Sequence, residues 1–330
     1  GISVSISADG KTLAVGANGS DVNGSFSGQV NVYSWDDAAS NFYLLQSIHG
    51  DDADDQLGFS LSLSADGKTL AVGAPRVEAA GPGYVKVYSW DDASSNFVQR
   101  KDGRINGDDE YDYFGRAVKL SGDGTIMAVG APRSDANGEG SGQVKVYVLD
   151  DATLSYKELQ ALYGKSKGYA FGFNLSVSSD GKFLAVAAPG NEENSGLVTV
   201  YEWDKDASSN TYRELQTMCS NVNADEFGSL DPREIGRYSL SFSADGTTLA
   251  VGSAWSNGNS GDSGQVNVFV LNGASSEYER IGDTFYGEGI DLLGYSVSLS
   301  EGGKILAIGA TQRFDNDKSG TVKVFAVEYE

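Results

Sequence analysis

LGFSLSLSADGKTLAVGAP, from Leu57 to Pro75, is the stretch on which the fold turns. Ser60, Ser62 and Ser64 alternate with Leu61 and Leu63, Asp66-Gly67 interrupts, and an apolar run then leads to Gly73. Period-two alternation, a dipeptide that supplies positive φ cheaply and a second apolar run together predict a β-hairpin closed by a two-residue turn. The text recurs as SVSISADGKTLAVGA, AVKLSGDGTIMAVGAP, NLSVSSDGKFLAVAAP, SLSFSADGTTLAVGSA and SVSLSEGGKILAIGAT. The turns sit at Asp9-Gly10, Asp66-Gly67, Asp123-Gly124, Asp180-Gly181, Asp245-Gly246 and Gly302-Gly303, which are 57, 57, 57, 65 and 57 residues apart. A period this long and regular means stacked units, none of which can bury its apolar face alone.

Working outward, each hairpin is followed by a third strand that alternates Val with polar residues, as in GYVKVYSW from Gly83 and GQVKVYVL from Gly142. A fourth, weaker strand follows in five units: FYLLQSI from Phe42, FVQRKD from Phe97, YKELQAL from Tyr156, YRELQTM from Tyr212 and YERIGDT from Tyr278. The last unit ends at FAVEYE without one. No helical periodicity separates these strands. Four-stranded antiparallel units in series predict an all-β chain, residues 1–330 forming a single β-propeller. The units run approximately 1–57, 58–114, 115–171, 172–235, 236–293 and 294–330. Six blades are expected, with part of a seven-bladed ring as the alternative.

The first strand of each unit carries large residues on one face and small ones on the other. Val4 and Ile6, Leu61 and Leu63, and Val297 and Leu299 stand opposite Ser3 and Ser5, Ser60 and Ser62, and Ser296 and Ser298. Sheets crowded round an axis need one large face to meet one small face, and rows of serine permit that approach. Arg116 and Lys119 break the pattern in the third unit, either to meet an anion or, more simply, to pair with a carboxylate.

Composition narrows the function classes. The 330 residues are 40% hydrophobic, enough for a core, and no run is long and apolar enough for a membrane span. Lys and Arg number 24 against 46 Asp and Glu, a formal charge of -22, which repels nucleic acid and favours cations or basic partners. Cys219 is alone, so no intrachain disulfide forms and cysteine usage does not set the compartment. The opening on Gly1, inside a strand pattern, reads as a piece of something longer, and a place in a larger assembly is expected. His49 is the single histidine, which argues against a histidine triad or a His-rich metal site.

Variation between units gathers in the loops that join strand two to strand three and strand four to the next strand one, the place where a rigid scaffold presents function. GDDADDQLG (Gly50 to Gly58) and GDDEYDYFG (Gly107 to Gly115) bring Asp51, Asp52, Asp54, Asp55, Asp108, Asp109, Glu110 and Asp112 to that face. The 65-residue spacing marks an enlarged loop, Ser220 to Gly236, that adds Asp225, Glu226 and Asp231. Asp51, Asp55, Asp108 and Asp112 are the candidates for Ca²⁺. The plainer reading makes these solvated turns, with Asp55, Asp112 and Asp291 capping backbone amides. Asp36, Asp37, Asp91 and Asp92 in the WDD turns are expected to close their own turns. Sequons at Asn18 and Asn23 are candidates for glycosylation, whereas Asn174, on a packed strand, is expected to stay bare.

Phe114-Gly115 and Phe171-Gly172 before strand one, with Gly73-Ala74-Pro75 and Gly130-Ala131-Pro132 after strand two, resemble the FG-GAP repeat of integrin-α-type propellers. The unit from Tyr278 to Ala310 is more similar still to a group of uncharacterised repeat proteins of algae and marine bacteria. The resemblance covers essentially the whole chain and implies a propeller. The family's calcium loop between strands one and two is replaced by a tight turn too short to wrap an ion, so its site transfers to no residue here. The reading that follows is a non-catalytic extracellular or cell-surface propeller for adhesion, matrix assembly or protein or glycan binding, with no cofactor required. Its alternatives are a carbohydrate-active enzyme and an intracellular (cytoplasmic) scaffold.

Overall fold

The computed structural model describes residues 1–77, 81–190, 196–204, 211–219, 238–256, 262–289, 291–311 and 319–328. It divides into two compact units, Gly1–Lys167 and Gly168–Glu330.

The first unit holds three blades. They are β1 (Ser3–Ile6), β2 (Thr12–Ala17), β3 (Gln29–Asp36) and β4 (Asn41–His49); β5 (Ser60–Leu63), β6 (Thr69–Ala74), β7 (Tyr84–Asp91) and β8 (Asn96–Asn106); and β9 (Ala117–Leu120), β10 (Ile126–Ala131), β11 (Gln143–Asp150) and β12 (Ser155–Tyr163). The second unit holds three more. They are β13 (Asn174–Val177), β14 (Phe183–Ala188), β15 (Leu197–Asp204) and β16 (Thr211–Cys219); β17 (Tyr238–Phe242), β18 (Thr248–Ser253), β19 (Gln265–Asn272) and β20 (Glu277–Tyr286); and β21 (Ser296–Leu299), β22 (Ile305–Ala310) and β23 (Thr321–Ala326). Every sheet is antiparallel in simple sequence order, and the last has three strands among the described residues. The fold is a β-propeller of six blades.

The Asp-Gly hairpins depart from the expected two-residue turn. Ser7 N–H bonds to the Thr12 carbonyl and Gly10 N–H to the Ser7 carbonyl, so four residues lie between the closing pair. Side chains brace the longer loop. Ser7 Oγ donates to Asp9 Oδ1 (2.5 Å) and accepts from Thr12 N (2.9 Å), while Asp9 Oδ1 accepts from Lys11 N (2.9 Å). Gly10, with φ 71°, takes the left-handed position that closes the turn. The same Ser–Asp lock recurs at Ser64–Asp66, Ser121–Asp123, Ser178–Asp180 and Ser243–Asp245.

Within each unit the small face of one blade meets the large face of the next. Ser3 Oγ donates to the Gly58 carbonyl, Ser60 Oγ to Gly115 and Ser239 Oγ to Gly294, each at 2.8 Å. In return, Ser5 Oγ accepts from Leu63 N, Ser62 Oγ from Leu120 N, Ser176 Oγ from Phe242 N and Ser241 Oγ from Leu299 N. A serine row therefore does more than make room, because it satisfies inner-strand groups of the neighbouring blade that would otherwise be orphaned. Approach is closest at the glycine of each AVGA run: a Cβ on Gly73 would stand 2.0 Å from the Gly115 carbonyl oxygen. Around these contacts lies the core, such as Ala14, Val30 and Val32 against Leu61, Leu63, Leu70 and Val72.

Farther out, the Gln46 side-chain amide bonds both backbone groups of Phe97, and Gln216 does the same to Tyr278. In the WDD turns Asp36 Oδ1 accepts from Ala38 N and Ala39 N, Asp91 caps Ala93 N and Ser94 N, and Asp92 accepts from Trp90 Nε1, as expected, whereas Asp37 instead pairs with Lys11 Nζ of the hairpin loop (2.6 Å).

Candidate functional site

In the first and fifth blades the two variable loop sets meet. Gly28, at the end of the β2–β3 loop, bridges Leu57 in the β4–β5 loop, and Gly264 bridges Leu293 in the same way. Asp54 N and Gln56 N bond to the carbonyls of Ser25 and Phe26. Backbone bonds therefore do most to fix the relative position of the loops, joined by the Asn23 and Asn137 side chains, and most other side chains there are left to vary.

Asp55 is a buried hub. Its Oδ2 accepts from Asp51 N (3.0 Å), Asp52 N (2.9 Å) and Tyr84 Oη (2.6 Å), and Arg76 Nε lies 3.5 Å from Oδ1. Burial, then the Asp55 hydrogen bond, push the Tyr84 phenol well above its usual range. Asp51 is held by Lys86 Nζ (2.6 Å) and Arg104 Nη1 (2.8 Å), and the Arg104 guanidinium lies 3.8 Å from the Tyr84 ring centre. Lys145 Nζ bonds Asp108 (2.6 Å) and Glu158 (3.2 Å); burial works against its charge, yet these carboxylates hold the ammonium above the usual lysine value. Asp291 caps Glu288 N.

Asp112 is buried against Ser134. Burial pushes its carboxyl up to about 6; the Ser134 hydrogen bond works the other way, and Asp109, Asp135 and Asp108 add to the rise. Of the four calcium candidates, Asp51, Asp55 and Asp108 spend their oxygens on protein cations and amides. Among the described residues no group of three or more His, Cys, Asp or Glu is placed to hold a metal ion. Asp225, Glu226 and Asp231 lie outside the described residues.

Asp52, Asp109 and Glu110 are exposed and Asp54 half-buried, and none has a side-chain partner among the described residues. Beside Asp109 and Glu110 in the chain stands a residue that the sequence did not single out. Tyr111 is 53% exposed, with φ 66°. The same loop position holds Asp54 (φ 63°) in the preceding loop and Gly168 (φ 75°) in the following one. A tyrosine standing where a neighbouring copy keeps glycine was the available signal. Asn23 is tied down, its Nδ2 donating to the Gly50 carbonyl (2.7 Å), and Asn137 repeats the bond to Gly164. Asn18 is half-buried.

Lys119 corrects the pairing expectation: among the described residues no carboxylate reaches it, and burial lowers its ammonium from the usual lysine value. It occupies the place where Ser5 and Ser62 accept a neighbour's amide. Arg116 lies 5.0 Å from the Phe59 ring centre.

Residues 106–148, spanning this acidic loop and most of the third blade, match the family model of the FG-GAP repeat. Over those residues the chain is similar to the FG-GAP repeat. No curated protein matches this chain in sequence. Among solved structures it is similar to a protein of Bacteroides uniformis provisionally assigned as a 6-phosphogluconolactonase (14% identity, TM-score 0.61, 99% of this chain and 85% of the other). It is also similar to a functionally unknown protein of Desulfotomaculum acetoxidans (15%, 0.60, 98% and 81%). A Bacteroides fragilis protein, likewise provisionally assigned as a 6-phosphogluconolactonase, gives 15%, 0.58, 99% and 84%. Identities this low carry the fold and not the chemistry.

Proposed function

We propose that this FG-GAP-like propeller is a non-catalytic binding module, working in adhesion or matrix assembly outside the cell, that takes a basic protein segment on the loop edge of its second and third blades. The observation that carries the reading is Tyr111, an exposed aromatic side chain on strained backbone beside the unpartnered carboxylates Asp109 and Glu110 of its own loop. A rigid aromatic anchor ringed by charge is how a surface gains affinity at low entropic cost, and the overall charge of -22 would steer a basic partner towards it. No cofactor is needed. Calcium would have to displace Lys86 from Asp51 or Lys145 from Asp108.

The test is binding of Lys/Arg-rich peptides and of neutral glycans to the purified chain at low and high salt, with and without Ca²⁺. Basic peptides should bind, weaken as salt rises, ignore Ca²⁺ and be lost to Asp109→Asn/Glu110→Gln and to Tyr111→Gly. Salt-independent glycan binding that survives these changes would overturn the choice of partner. One observation favours a second reading, a carbohydrate-active enzyme: Asp112, with its carboxyl up to about 6, could exchange a proton near neutral pH. Turnover of a sugar lactone that is lost in Asp112→Asn would replace the binding reading with that one.

A further inference from the structure

Arg76 and Arg133 hold the same place in the second and third blades, directly after Gly73-Ala74-Pro75 and Gly130-Ala131-Pro132. Asp55 and Asp112 also match, each three residues before the glycine that leads into the next first strand. In the second blade this pair is closed. Arg76 turns into the left-handed region (φ 52°), its Nε lies 3.5 Å from Asp55 Oδ1, and Tyr84 Oη donates to the same carboxylate.

In the third blade the pair is open. Gln143 faces Ala131 across the sheet where Tyr84 faces Ala74, so no phenol is supplied. Ser134 stands in place of Val77 and gives Asp112 its hydrogen bond, so that carboxyl does not need the arginine. Arg133 is exposed and does not take the left-handed turn. Its guanidinium lies 4.7 Å from the Tyr113 ring centre. Among the described residues no carboxylate pairs with it, and none of its side-chain N–H groups donates a hydrogen bond. Its own amide bonds the Asp112 carbonyl (3.2 Å), which fastens it to the loop that carries Asp109, Glu110 and Tyr111.

A chain of formal charge -22 thus keeps a guanidinium without a carboxylate beside its acidic loop. We propose that Arg133 receives a carboxylate of the same basic segment that Tyr111, Asp109 and Glu110 take. The inference rests on that binding reading and narrows the partner to a basic stretch with an acid group next to it, either the C-terminal carboxylate or an Asp or Glu side chain. A planar guanidinium matches a carboxylate with two parallel N–H bonds, which adds direction to charge. Stacking on the Tyr113 ring holds the plane of the fork in advance, so less side-chain freedom is lost when the carboxylate arrives.

The experiment is binding of one Lys/Arg-rich peptide to the purified chain in three forms. They are the free C-terminal acid, the C-terminal amide, and the amide with a single Glu among its basic residues. The plain amide carries the most positive charge, so the overall field favours it, and a preference for either acid can come only from a local cation. The wild type should bind the free acid or the Glu peptide about ten-fold tighter than the plain amide, as a charge-assisted pair implies. Which of the two is preferred identifies the source of the carboxylate. Arg133→Gln should lose the preference yet still bind the amide, and Arg133→Lys, a point charge without the fork, should keep only part of it. Both variants should melt with the wild type, since the guanidinium donates to nothing among the described residues. Equal binding of all three forms by the wild type, or a preference that survives in Arg133→Gln, would overturn the inference and leave the basic-segment reading standing. If no form binds, that reading falls and the inference falls with it.

Discussion

The two ends of a blade are built on opposite rules. At the inner hairpin side chains brace the backbone closure, and the same Ser and Asp recur at Ser7–Asp9, Ser64–Asp66, Ser121–Asp123, Ser178–Asp180 and Ser243–Asp245. At the opposite end backbone bridges such as Gly28–Leu57 and Gly264–Leu293 hold the loops, and the side chains between them differ from blade to blade. Where side chains do the holding, the text repeats. Where the backbone does, it is free to carry function, and strained positions such as Tyr111 are tolerated.

This contrast can be broken at its firmest point. Gly73→Ala puts a Cβ 2.0 Å from a backbone oxygen that cannot turn away, and should cost about 3 kcal/mol or more. Gly302→Ala, with nothing within 4 Å, should be close to neutral, and urea unfolding of the pair measures the difference. Next comes Ser64→Ala, which leaves the buried Thr69 amide without its acceptor and should cost about 2 kcal/mol in the same assay. Ser300→Ala is its comparator in the last blade, where Gly302 replaces the Asp and the Ile305 amide is exposed, and it should cost less.

On the loop face the effects are smaller. Asp112, raised from 3.8 to about 6 by burial, binds more protons folded than unfolded between those values, so stability falls as pH rises through that window. Asp112→Asn should flatten that part of the melting-temperature profile and be no less stable than wild type at pH 7; a profile unchanged by the substitution would place the carboxyl in water. Smallest and opposite in sign is Tyr111→Gly, which copies Gly168 and relieves left-handed strain. It should stabilise by about 0.5 kcal/mol after the entropy of the added glycine is subtracted, while abolishing binding. Lost stability together with lost binding would make Tyr111 a structural residue.

How much of this was legible varies by element. The hairpins, their 57-residue pitch and the serine row could be read directly, because alternation and glycine turns act over a few residues and were written several times. Asp55 and Asp291 as caps were also visible, since each bonds amides three or four residues away in the chain. The turn length was misread because the closing pair is Ser7 and Thr12, with four residues between them, and the Ser300–Ile305 hairpin, with Gly302 in place of the Asp, closes at the same length. Lys86 and Tyr84 gave no hint of joining the acidic loop, lying 35 and 29 residues from their partners Asp51 and Asp55.

What the sequence determined by itself is the blade. Period-two alternation selects strands, glycine places the turns, and repetition forces the units to stack because no single one can bury its apolar side. Tertiary structure decided what the carboxylates do. Asp51 and Asp108 meet buried ammonium groups and Asp55 gathers amides and a phenol, whereas Asp109 and Glu110 are left to the solvent. Those fates depend on which strands come within a few ångströms of each loop, and that distance is set by packing across the sheets, not by order along the chain.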